Sequence, residues 1–76
     1  MTGVGAIEVL AEPNRRRILD LLREGELPVG ELVGRMSLTQ PAVSKHLKVL
    51  RQAGLVDVRP VARPGARRAR LRGRRA

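Results

Sequence analysis

The stretch "LTQPAVSKHLKVLRQAGLV", residues 38–56, decides the fold. Its apolar residues recur at Val43, Leu47 and Leu50, a single stripe along a helix. Thr39 stands where an N-cap belongs, its hydroxyl able to accept an orphan amide N–H. Leu38 and Val43 then occupy the two positions of a hydrophobic staple. Pro41 falls in the first turn, where its missing donor costs nothing. The helix is expected to run to about Ala53, with Gly54 as the residue that closes it. With the apolar stripe turned inward, Pro41, Lys45, Lys48 and Gln52 lie opposite it. Gln40, Ser44 and Arg51 occupy one flank, Ala42 and His46 the other.

Upstream, "PVGELVGRM" sets Val29, Leu32, Val33 and Met36 at helical spacing, and only Ser37 and Leu38 separate it from Thr39. Two helices joined by so short a turn form a helix-turn-helix. "NRRRILDLLREG" places Ile18, Leu21 and Leu22 on one face, with Gly25 as a stop, and "VGAIEVLA" predicts a short helix on Ile7, Leu10 and Ala11. Downstream, "LVDVRPV" alternates through Val56 and Val58, "ARPG" signals a turn, and "ARRARLRG" sets Ala69 and Leu71 on one side. These segments predict a β-hairpin wing, with the closing "GRRA" disordered. The expected fold is mainly α: a winged helix-turn-helix of four short helices plus a β-hairpin wing. Residues 1–61 are expected to make this winged helix-turn-helix domain, and residues 62–76 the Arg-rich second half of the wing and a disordered basic tail.

Seventy-six residues allow one domain, and this one has no Phe, Tyr, Trp or Cys to anchor or staple its core. The net charge of +9 is uneven: residues 1–58 hold 8 basic and 7 acidic side chains, residues 59–76 hold 8 Arg and no acid. That asymmetry points to a phosphate-rich partner or an anionic membrane surface. No apolar run is long enough for a membrane span, and no basic segment precedes the short apolar stretch at the N-terminus, so a cytoplasmic location is expected.

The residue types near the N-terminus of the helix at 40–53 suit base edges. Gln pairs with adenine, Lys with guanine, Ser with several bases, and small Pro41 and Ala42 permit close approach. Lys48 and Arg51 suit phosphates, His46 a phosphate or a local hydrogen bond, and the helix N-terminus beside Thr39 itself favours an anion. The expected partner is double-stranded DNA, met by Thr39, Gln40, Pro41, Ser44, Lys45, His46, Lys48 and Arg51 and flanked by the wing arginines Arg63, Arg67 and Arg68. A lone His and the absence of Cys leave no metal-ligand set, so no metal or cofactor is expected. Solvated carboxylates without a nucleophile or pocket give no catalytic set, so no enzyme is expected. The alternative is a polybasic adaptor that binds RNA or an anionic surface through residues 59–76; the lack of an apolar helical face there weighs against a membrane.

"LAEPNRRRILDLL", "LPVGELVGRM" and "LTQPAVSKHLKVLRQAGLV", in that order, resemble the winged helix-turn-helix of the ArsR-type regulators over about residues 6–58. The resemblance implies a bacterial or archaeal transcriptional regulator, a repressor, that binds operators as a homodimer. It implies reading positions at Gln40, Pro41, Ser44 and Lys45, with His46 and Lys48 in the same motif beside the DNA backbone. Two departures stand out. Metal sensors of that family often carry a Cys pair in the helix before the turn, here "VGELVGRM", which has none; and the family wing usually ends in a strand with a Tyr and leads into a C-terminal helix, where this chain continues in Arg and Ala. Ala, Arg, Gly and Pro are the residues of GC-only codon families, so a truncated or frame-shifted C-terminus and a weakened homodimer are expected.

Overall fold

Thr39, in extended conformation, accepts the Ala42 N–H on its hydroxyl at 3.2 Å and so starts a helix that runs Gln40–Gln52. At the other end the Gly54 N–H bonds the Arg51 carbonyl and the Leu55 N–H bonds the Leu50 carbonyl, both at 3.0 Å. These two bonds are a Schellman closure, and Gly54 adopts the positive φ of 80° it requires. The computed structural model describes residues 6–60 and 67–73. Within them the order is α1 (Ala6–Leu10), α2 (Pro13–Leu22), β1 (Leu27–Pro28), α3 (Val29–Met36), α4 (Gln40–Gln52), β2 (Val56–Arg59) and β3 (Arg68–Leu71). None of the helices is long and apolar enough to cross a membrane.

α2 opens on Glu12, whose carboxylate accepts the Asn14 and Arg15 amides in place of the usual small capping residue. α3 starts at the extended Pro28 without a side-chain cap and ends at Ser37, which takes the left-handed conformation at φ 56° and swings the chain into α4. A non-glycine residue in that region is strained by about 1–2 kcal/mol.

The strands form one antiparallel sheet in the order β1-β3-β2. β3 pairs Ala69 with both Leu27 and Val58, and the Val29 N–H extends the ladder by donating to the Arg67 carbonyl at 2.7 Å. The expected hairpin of β2 and β3 is present, and β1 is a third strand that the sequence reading missed. Its two residues are too few to show alternation, and one of them is Pro28. The fold is a winged helix-turn-helix.

The core consists of Val9, Ile18, Leu22, Val29, Leu32, Val43, Leu47, Leu50, Val56 and Ala69, and no polar or charged residue is buried among the described residues. The α3 and α4 stripes are as the sequence predicts, with Val33 and Met36 half-buried beside Val29 and Leu32. The short helix predicted around Ile7 and Leu10 is α1; it tucks in Val9 and leaves Ile7 86% exposed, with Ala11 exposed just beyond its end. Arg15 fixes this orientation by donating its Nε–H to the Val9 carbonyl at 2.9 Å. β3 is the middle strand and Ala69 is fully buried, so part of the Arg-rich segment beyond residue 61 belongs to the packed domain. The expected turn at 62–65, the end at 74–76 and Arg63 lie outside the described residues.

Candidate nucleic-acid interface

The α4 stripe buries Val43, Leu47 and Leu50 and leaves Gln40, Pro41, Lys45, Lys48 and Arg51 exposed along the rest of the helix, with Thr39 exposed at its start. Ala42 and Ser44 are half-buried. An amide, a hydroxyl and an ammonium therefore share the first two turns, on a helix whose orphan N–H groups and dipole favour an anion at that end. Neither Lys48 nor Arg51 forms an ion pair among the described residues.

The wing arginines divide between the two faces of the sheet. Arg67 reaches α4, where its Nη2 donates to the Ser44 Oγ at 3.4 Å. Arg68 turns the other way and donates to the Glu26 carboxylate, which Arg59 also engages at 2.8 Å. Arg59 and Arg68 face each other across the β2–β3 ladder, so Glu26 neutralises a like-charge pair that would repel. The hydrogen bonds from Arg68 and Arg59 hold the Glu26 carboxyl below its ordinary value of 4.5. Arg70 lies 3.9 Å from Asp57 on the same face. Sequence reasoning placed Arg68 with Arg67 beside the DNA; the structure separates them, because adjacent strand residues point to opposite faces.

His46 is half-buried on the α4 flank, and its Nδ1 is buried without a hydrogen-bond partner. Its electrostatic neighbour is Glu12 at the start of α2. Desolvation pushes the Glu12 carboxyl up, but the Asn14 and Arg15 amides, with the charges of His46 and Arg15, outweigh it and hold the group below 4.5. The residue thus sits between α4 and the α2 cap, away from the Gln40–Ser44 flank. Glu12, which caps α2, and Glu26, which pairs with Arg59 and Arg68, are structural supports that sequence reasoning missed. An acid two residues before Asn14 beside Pro13 was the available signal for the first, and nothing local signals the second.

Residues 12–58 match the family model described as "Bacterial regulatory protein, arsR family". The chain is 49% identical over 55 residues to the HTH-type transcriptional regulator Rv2034 of Mycobacterium tuberculosis, covering 72% of this chain and 51% of that protein. It is 42% identical over 57 residues to the biofilm growth-associated repressor of Agrobacterium fabrum, covering 75% of this chain and 49% of that protein. Among solved structures, HlyU from Vibrio cholerae superposes with a TM-score of 0.80 at 39% identity over 88% of this chain and 71% of that one. The chain spans about half the length of the curated relatives it matches. The match covers the α2 cap, the helix-turn-helix and β2, and the chain belongs to the arsR family of bacterial regulatory proteins.

Proposed function

We propose that the chain is a sequence-specific, double-stranded-DNA-binding transcriptional regulator, a repressor without catalytic activity, that inserts α4 into the major groove. The observation that carries this reading is the face of α4. Gln40, Pro41 and Lys45 are exposed beside half-buried Ser44, while the opposite stripe and both helix ends are fixed by core packing, the Thr39 cap and the Gly54 closure. A rigid helix presenting groups that match base edges is what direct readout needs. Gln40, Pro41, Ser44 and Lys45 read bases. Lys48, Arg51 and Arg67 hold backbone phosphates, and Thr39 and His46 position the helix. The names of the relatives, regulators and a repressor, support the same role.

The regulator acts as a homodimer, since two half-sites about one helical turn apart need two reading helices. Exposed Ile7 on α1 is the apolar side chain offered to the second copy. Selection of bound sequences from a random duplex library tests the reading. A palindromic consensus is expected. Equal recovery of all sequences, with equal binding to single-stranded RNA, would replace the reading with that of a polybasic adaptor.

A further inference from the structure

Between α4 and the root of the wing lies a notch of about 210 Å³, lined by Ser44, Leu47, Lys48, Arg51, Val58 and Arg67. Its charged walls are all basic, and Leu47 and Val58 form an apolar floor that lowers the local dielectric. Resting on the DNA-binding reading above, we propose that this notch seats one backbone phosphodiester of the bound duplex, and that Arg67 exchanges Ser44 for that phosphate when DNA arrives.

Three observations carry this. Lys48 and Arg51 have no acidic partner among the described residues, so two cations are already presented to the notch. Arg67 is fixed at its root, because its carbonyl accepts the Val29 N–H at 2.7 Å, while its guanidinium is exposed. What holds the guanidinium is a 3.4 Å bond to a neutral hydroxyl, long for a hydrogen bond and exposed to solvent. The two non-bridging oxygens of a phosphodiester give the guanidinium shorter, charge-assisted bonds in a bidentate pair. The exchange releases the Ser44 hydroxyl, which lies on the flank shared with Gln40. Base reading at Ser44 and phosphate binding by the wing are therefore coupled: the helix reads with Ser44 only when the wing is seated.

The test uses the full chain and a duplex carrying the selected consensus, with each phosphate replaced in turn by an uncharged methylphosphonate. Binding of wild type, Arg67→Gln and Arg67→Lys is measured at constant salt, with unchanged circular dichroism confirming the fold of each variant. At one phosphate per half-site, replacement is expected to weaken wild type by roughly tenfold and Arg67→Gln by less than about twofold, with Arg67→Lys intermediate. At that same phosphate, replacement is expected to erase the base preference that Ser44→Ala also erases. If Arg67→Gln loses the same factor on every duplex whichever phosphate is neutral, the proposal falls and the DNA reading stands. If the wild-type chain shows no preferred duplex at all, both fall.

Discussion

Replacing Ala69 by Asp is expected to unfold the domain. Ala69 is fully buried in the middle strand, paired with Leu27 on one side and Val58 on the other, in a core where no described residue offers a buried polar side chain to receive a carboxylate. The effective penalty for burying an unpaired ion is several kcal/mol. At 0.05–0.15 kcal/mol per residue, a domain of this size has a total stability of roughly 4–11 kcal/mol. One substitution therefore removes much or all of it. Ala69→Ser is the graded version: a hydroxyl without a partner costs about 1–3 kcal/mol. With a urea slope near ~1 kcal/mol/M that moves the midpoint down by about 1–3 M. The assay is urea unfolding followed by the helical circular dichroism signal, since the chain has no Trp or Tyr. Arg51→Ala, an exposed side chain without an ion pair among the described residues, serves as the control and should stay within about 0.5 kcal/mol of wild type. Wild-type midpoints for both Ala69 variants would refute the packing of β3 and return the segment to the status of a tail.

Three further outcomes follow from the same geometry. Gly54→Ala should cost about 1 kcal/mol of stability: the new Cβ meets only the Arg72 guanidinium at 4.0 Å, so the loss comes from the φ of 80° rather than from a clash, and thermal unfolding measures it. Both Glu26 and Glu12 have carboxyls held below 4.5 in the folded state, so the stability they contribute is fully present above that pH and is lost as pH falls through the lower folded values. Urea midpoints should be flat from pH 7 to about 5 and then drop, and Glu26→Gln should reduce the drop. Lys48→Ala should weaken all duplexes by a similar factor and lower the log–log salt slope by roughly 0.9, read from binding titrations between 50 and 200 mM salt.

What the sequence made legible follows chain length and locality. α4 has 13 residues, enough to show a stripe, a cap and a closing glycine at once, and each is found where the residues place it. α1 has five, fewer than two turns, so Ile7 and Val9 compete for the buried position on composition alone, and the bond from Arg15 to the Val9 carbonyl favours Val9. β1 is invisible because two residues carry no period. Glu26 reads as a solvated carboxylate, since its partners Arg59 and Arg68 lie 33 and 42 residues away and meet it only across the sheet. Arg67 and Arg68 look equivalent in the sequence. Their different fates depend on which face of the sheet meets α4, a property of strand order that no local pattern encodes. For the same reason a deletion of residues 62–76 would remove the middle strand along with the charge. Removing residues 74–76 alone is the cleaner way to weigh the end of the chain.

The polar flank of α4 is proposed to read bases. The most direct measurement is the dissociation constant of wild type and Gln40→Ala, at one fixed salt concentration, for the selected duplex and for every single-base-pair variant of one half-site. Gln40→Ala should lose about 1–3 kcal/mol on the selected duplex, and preference should disappear at one base pair while the other positions keep theirs. A uniform loss across all duplexes, or none, would contradict the proposal.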